Sequence, residues 1–102
     1  MMSEEEKRKP SLIDEEGNSY YGEVEDGKPH GKGEMVYYTI DDDDEAHTYV
    51  GDWLNGKRHG RGRDVVICYK KEDDEIYEES STVYNGDWVE DMRHGNGFEW
   101  SG

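Results

Sequence analysis

The sequence is poor in the residues that usually build a hydrophobic core. Only 14 of its 102 residues are Leu, Ile, Val or Phe. Its 12 basic residues are outnumbered by 27 acidic ones, which gives a formal net charge of −15. Low aliphatic content combined with high charge is typical of disordered chains. Composition alone therefore argues against a folded domain.

Other absences narrow the class of protein further. The single cysteine, Cys68, excludes an internal disulfide framework. The sequence has no secretory h-region and no apolar run of membrane-spanning length. These absences favour a cytoplasmic or otherwise intracellular address, and the length suits one domain.

What the chain has instead is aromatic residues and glycine: 8 Tyr, 3 Trp and 13 Gly. They recur with fixed spacing. The clearest copy covers residues 49–62, and weaker copies cover 20–33 and 84–97. Internal repeats at this spacing indicate a repeat array, in which large aromatic rings replace the missing aliphatic core.

Each copy has the pattern of an antiparallel hairpin. Tyr49, Gly51 and Trp53 alternate with other residues at the period of a strand, and Asn55-Gly56 is a favoured two-residue turn. The predicted cross-strand pairs are Leu54 with Lys57, Trp53 with Arg58, Gly51 with Gly60, and Tyr49 with Gly62. Each Tyr ring would then lie over bare glycine backbone, which restores packing that a glycine in a strand loses. The turns of the outer copies are predicted at Asp26-Gly27 and Glu90-Asp91.

This pattern resembles the MORN (membrane occupation and recognition nexus) repeat, which runs Tyr-x-Gly-x-Trp, a turn with Gly-Lys, then His-Gly-x-Gly. The resemblance implies an all-β fold, an open single-layer antiparallel sheet of consecutive β-hairpins. We expect a flexible charged tail over residues 1–17 and a repeat domain over 18–102, with Leu12-Ile13 as a candidate cap of the open edge. The copies lie further apart than usual, so elongated acidic loops are expected near 41–45 and 71–75.

The sequence offers little for catalysis or metal binding. His30, His59 and His94 recur once per copy but would lie roughly 10 Å apart, too far to share one zinc ion. The segment 41–52 fails the calcium-loop pattern, because Ala46 stands where Gly is required. Cys68 lacks a nearby base in any catalytic spacing, so a buried inert thiol is expected. We predict no enzyme activity, no metal site and no cofactor.

The sequence favours a protein-interaction scaffold that binds a partner segment on an aromatic face. The predicted partner-binding residues, expected on one face of the sheet, are Tyr20, Tyr37, Tyr49, Trp53, Tyr84, Trp88 and Trp100. The residues predicted to steer a basic, helical or extended partner are Asp41, Asp42, Asp43, Asp44, Glu72, Asp73 and Asp74. Replacing Trp53 or Trp88 by Ala is expected to weaken capture and leave the fold intact. The alternative that these rings are only the core stays open, and exposure distinguishes the two.

Two other functions remain as alternatives. A phosphoinositide or membrane-surface module is suggested by the family name but disfavoured by the acidic charge, as is nucleic-acid binding. The second alternative is that the chain is a regulatory fragment of a larger repeat protein. The resemblance suggests this, since such repeats occur in kinases, a lysine methyltransferase and ciliary spoke proteins. The given sequence also stops within its third return strand. The resemblance thus implies cytoskeletal or ciliary association. Open sheet edges further predict self-association.

Overall fold

The computed structural model describes residues 8–38 and 45–102. Seven strands form one antiparallel sheet in which sequence neighbours are neighbours in space. The strands are β1 (Leu12–Ile13), β2 (Ser19–Glu25), β3 (Lys28–Tyr37), β4 (Glu45–Leu54), β5 (Lys57–Glu72), β6 (Glu75–Val89) and β7 (Met92–Ser101). This open sheet of consecutive hairpins confirms the predicted fold. The described residues include no helix able to cross a membrane.

All three repeat hairpins close at the predicted two-residue turns. Both residues of each turn have positive φ: Asp26 and Gly27 at 52° and 74°, Asn55 and Gly56 at 51° and 87°, Glu90 and Asp91 at 47° and 69°. Paired left-handed residues match the right-handed twist of the flanking strands. Asp and Asn tolerate this conformation better than most residues do, whereas Glu90 adopts it without that advantage.

The predicted register is right next to the turn and wrong beyond it. Leu54 pairs with Lys57 and Trp53 with Arg58, as expected, but Gly51 pairs with Gly62. Three residues of β5 therefore lie opposite the single residue between Gly51 and Trp53. This β-bulge contains Gly60, whose φ is 86°. The other two hairpins carry the same shift.

The bulge changes how tyrosine covers glycine. Tyr49 pairs with Asp64, not Gly62, yet its ring extends along the strand and lies over Gly62. A Cβ on Gly62 would overlap the phenol group. The Tyr49 hydroxyl donates to the Asp52 carbonyl at 2.9 Å. The predicted association of Tyr with Gly is therefore present, but it is diagonal and not directly cross-strand.

The N-terminal edge is covered by a short strand. In β1, Leu12 pairs with Tyr20 and Ile13 with Ser19. The Ser11 hydroxyl also donates to the Gly22 carbonyl at 3.1 Å. Residues 12–13 thus cap the open edge, so this part differs from the predicted flexible tail. Residues 1–7 lie outside the described residues, and the domain boundary at residue 18 stays a prediction.

The long β5–β6 hairpin projects beyond the repeat core. Its strands have 16 and 15 residues, and residues 70–79 are all exposed. Asp73 and Asp74 form its turn, with φ values of 53° and 64°. This acidic arm was predicted as an elongated loop. The other predicted acidic loop lies mostly within 39–44, outside the described residues.

Candidate functional site

Five of the seven predicted partner-binding rings form a continuous ladder in the core. Neighbouring rings meet edge to face, with centroids 5.0–5.5 Å apart. The ladder runs in the order Tyr20, Trp53, Tyr49, Trp88, Tyr84. All five are buried. Edge-to-face aromatic pairs are worth about 0.5–1.5 kcal/mol each beyond the area they bury, so the ladder stabilises the contact between repeats.

The polar ends of these rings are also satisfied within the protein. Trp53 Nε1 donates to the Gly33 carbonyl and Trp88 Nε1 to the Gly62 carbonyl, both at 3.1 Å. The expectation that the ladder rings present an accessible apolar face is therefore wrong. The sheet has no second layer, so these rings pack against one another and against Met35 and form the hydrophobic core themselves. Partner binding by these five residues stays a prediction, now without exposed surface to support it.

Tyr37 lies on the same face in a polar cluster that sequence reasoning missed. Its ring stacks on His47 at 4.2 Å, and burial raises the pKa of Tyr37 to about 12. His47 contacts the buried Asp64 carboxylate at 2.6 Å. Arg58 approaches the same carboxylate at 3.8 Å. His47 received no role from the sequence because it lies outside the repeat pattern.

Arg58 joins the second repeat to the third. Its guanidinium lies 4.6 Å from the centre of the Trp88 ring. It also donates to the Asp91 carbonyl at 3.0 Å, and the Asp91 amide donates back to the Arg58 carbonyl at 2.9 Å. Stacking of this kind is favourable because the cation faces the negative surface of the ring. Arg58 is therefore a structural connection and not a free basic group.

Each bulge is held by a carboxylate. Glu23, Asp52 and Asp87 accept the amide of the residue after the bulge glycine, at 2.5, 3.1 and 3.2 Å respectively. Partial burial alone would raise the pKa of Asp52, but hydrogen bonds from Lys32 and the Arg61 amide outweigh it and hold that pKa below its usual value. The sequence did carry a signal for this role, since an acid follows the first glycine in every copy.

Two exposed aromatic rings, Phe98 and Trp100, lie on the other face of the sheet. Trp100 pairs with Val83, so it points away from Tyr84 and the ladder. This corrects the expectation that Trp100 shares the face of the other rings. Every residue of β7 is exposed, including Phe98 at 78% and Trp100 at 50%. The last strand thus contributes part of the accessible apolar surface, which elsewhere includes Ile13, Tyr38 and Ile76.

The predicted steering residues divide by position. Glu72, Asp73 and Asp74 are exposed at the tip of the β5–β6 arm, where Glu72 contacts Lys70 at 3.6 Å. Asp41, Asp42, Asp43 and Asp44 lie outside the described residues. The arm therefore presents a concentrated negative charge, and its steering role stays a prediction.

A cavity of about 260 Å³ lies beside the N-terminal edge, lined by residues that include Leu12, Tyr20 and Met35. No buried side-chain polar atom among the described residues lacks a hydrogen-bond partner. No group of three or more His, Cys, Asp or Glu side chains within 8–38 and 45–102 is arranged to hold a metal ion. Nothing in these features points to a particular ligand.

Consecutive hairpins linked by an aromatic ladder define a β-hairpin repeat protein. The MORN repeat family model matches residues 20–39, 49–63 and 84–102, which is more than half of the chain. The chain therefore belongs to the MORN repeat family. A comparison with curated proteins found no match. This family is non-enzymatic, and its repeats are in general protein- or membrane-interaction modules.

Proposed function

We propose that the protein is a non-catalytic interaction module that captures a basic partner segment, helical or extended, on the exposed face of β7. The observation that carries this is the pair Phe98 and Trp100, two exposed rings on one face of the last strand. Aromatic residues dominate the binding energy of many protein interfaces. Exposed apolar patches are also unusual on proteins that act alone.

An apolar row extends this surface across the sheet. The paired residues Val36, Thr48, Val65, Val83 and Trp100 share the face opposite the ladder. Most of the row is partly buried, and Val83 is buried beside Trp100. A partner chain lying along this face would therefore meet Trp100 at the end of a row that is apolar except for Thr48.

Charge favours a basic partner. The formal net charge of −15 gives the protein a negative field that attracts cations and repels acidic chains. Several basic side chains are already paired with carboxylates; examples are Arg61 with Asp87 at 3.0 Å and Arg93 with Glu99 at 3.2 Å. A membrane surface would have to bind through the remaining cations, so it is the weaker candidate.

The test is binding of a designed peptide with alternating Lys and Leu residues to the 102-residue protein, measured by fluorescence anisotropy. We expect Trp100→Ala to weaken binding at least tenfold, because it removes half of the exposed ring pair. Binding should also weaken as salt rises. Ile13→Ser is the matched control, since Ile13 is an exposed apolar residue at the opposite edge.

Three results would contradict the proposal. The first is that the Trp100→Ala and Ile13→Ser variants bind the peptide equally well. The second is that a peptide of alternating Glu and Leu binds more tightly than the Lys and Leu peptide. The third is that the protein floats with phosphatidylserine vesicles but does not bind the basic peptide. A cytoplasmic address with cytoskeletal or ciliary association belongs to the same proposal. Imaging of the tagged chain in its own cells tests it.

A further inference from the structure

The N-terminal edge of the sheet is closed by a short segment, residues 8–14, which we call the strap. Its strand β1 has only two residues, Leu12 and Ile13. Leu12 packs against the aromatic core, whereas residues 8–10 have no regular secondary structure. The strap is therefore attached by few contacts, and segments of this kind open locally at a low cost in free energy.

Ser11 fastens the strap to β2. Its amide donates to the Tyr20 carbonyl at 2.7 Å. Its hydroxyl donates to the Gly22 carbonyl at 3.1 Å and accepts from the Gly22 amide at 3.2 Å. One hydroxyl thus satisfies both a donor and an acceptor on the outer edge of β2. Any group that replaced the hydroxyl proton would remove half of this contact.

A second attachment of the strap lies three residues before Ser11. Arg8 donates to the Glu34 carboxylate at 2.8 Å, and its guanidinium lies 3.9 Å from the centre of the Tyr21 ring. The Arg8 side chain is 43% exposed. Exposed ion pairs of this kind are weak, so another anion close to Arg8 can compete with Glu34.

The sequence just before Ser11 is basic, although the chain as a whole is acidic. Three of the 12 basic residues are consecutive here, at Lys7, Arg8 and Lys9. Protein kinases select substrates by such charge patterns, and a basic run before the serine complements an acidic substrate groove. Ser80, in contrast, follows two glutamates. Ser11 therefore combines an exposed hydroxyl, a basic approach and a role in attaching the strap.

We propose that Ser11 is phosphorylated by a serine/threonine kinase that selects basic residues before the serine, and that the phosphate detaches the strap from β2. The phosphoryl donor is a nucleoside triphosphate. Its γ-phosphorus forms a bond to Ser11 Oγ while the bond to the bridging oxygen breaks, so the nucleoside diphosphate leaves. The hydroxyl proton passes to a carboxylate of the kinase. This goes beyond capture of a basic segment at β7, because the strap lies at the opposite edge of the sheet.

Phosphorylation acts on both attachments of the strap. The esterified oxygen of Ser11 can no longer donate, so the Gly22 carbonyl loses its partner and faces a group with a charge of about −1.5 to −2. The phosphate also competes with Glu34 for Arg8, because phosphate oxygens are strong acceptors for a guanidinium. Added negative charge on a chain of net charge −15 increases repulsion further. The outer edge of β2 then becomes accessible.

The first test treats the 102-residue protein with a purified kinase of this basic-selecting class, ATP and Mg²⁺, and locates the phosphate by mass spectrometry. We expect incorporation at Ser11 to be about tenfold or more faster than at Ser80, the matched serine in acidic surroundings. The double variant Arg8→Gln, Lys9→Gln should lose most of the incorporation. Because loss of Arg8 also loosens the strap, a fall in rate reports recognition and not access.

The second test compares amide hydrogen exchange in the unmodified and the phosphorylated ¹⁵N-labelled protein. The Ser11 and Gly22 amides should exchange about tenfold or more faster after phosphorylation, because both lose their acceptors when the strap detaches. The Trp88 amide in β6 should keep its rate. Ser11→Ala is the matched control, since it removes the hydroxyl without adding charge and should accelerate Gly22 less than the phosphate does.

Three results would overturn the assignment of Ser11. They are no incorporation there, faster incorporation at Ser80, and equal rates for the parent and the Arg8→Gln, Lys9→Gln variant. Unchanged exchange at Gly22 in the phosphorylated protein would overturn the detachment of the strap. Trp100→Ala should be phosphorylated at the rate of the parent. That variant therefore separates failure of this proposal from failure of basic-peptide capture.

Discussion

Trp88→Ala should destabilise the whole sheet, contrary to the sequence-based expectation that it leaves the fold intact. Trp88 is 3% exposed, packs edge to face on Tyr49 and Tyr84 at 5.3 Å, and donates to Gly62. Removing a buried aromatic ring costs about 3–5 kcal/mol of unfolding free energy. Small domains have roughly 5–15 kcal/mol in total, so a thin single-layer sheet has little reserve. We expect a large fall in the urea midpoint, followed by far-UV circular dichroism.

Trp100→Ala is the matched control for this prediction. Half of the Trp100 ring is exposed, so its removal forfeits about half of the burial and leaves no closed cavity. At ~25 cal/mol per Å² over half of a tryptophan surface, the loss is at most about 3 kcal/mol. If Trp100→Ala destabilises the protein as much as Trp88→Ala, the assignment of the ladder as core is refuted.

Three further predictions concern the glycine under Tyr49, pH and the arm. Gly62→Ala should lower the unfolding free energy by about 2–3 kcal/mol, because the new Cβ displaces the tyrosine above it, whereas Gly102→Ala should change it little in the same urea titration. Because the pKa of Asp52 is lower in the folded protein than its unfolded value of 3.8, the ionised carboxylate stabilises the fold above pH 3.8, and this stabilisation is lost as pH falls through the folded pKa. The Asp52→Asn variant has no such carboxylate. Its melting temperature should therefore fall less than that of the parent protein below about pH 4. Neutralising the acids at residues 72–74 should reduce the salt dependence of Lys–Leu peptide binding and its association rate, which stopped-flow fluorescence measures.

The repeat spacing was sufficient to predict the hairpins and their turns. Asn55-Gly56 has a strong local preference for the two-residue turn, and Tyr49, Gly51 and Trp53 alternate at strand period. The predicted register is wrong from Gly51 onwards, because Gly60 adopts a positive φ and forms a bulge that accommodates two additional residues of β5. A glycine in a strand has two explanations, a covering ring or a bulge, and both occur in the same motif.

Exposure was harder to predict than topology. Tyr and Trp are typical of both interfaces and cores, so residue type did not distinguish the two roles. The burial of Trp53 depends on Tyr20, a residue 33 positions away that belongs to another repeat. The face of Trp100 was predictable, however, because it lies three positions after Gly97 in the same strand, and an odd offset places two residues on opposite faces.

The three tryptophan indole protons give the most direct test of the account, because each reports on one ring. The central claim is that Trp53 and Trp88 are core rings that donate to carbonyls of the preceding repeat, while Trp100 is open to solvent. Indole hydrogen exchange in the ¹⁵N-labelled protein is therefore predicted to be slow for Trp53 and Trp88 and fast for Trp100. Fast exchange at all three indoles would contradict the account, as would protection of Trp100 alone.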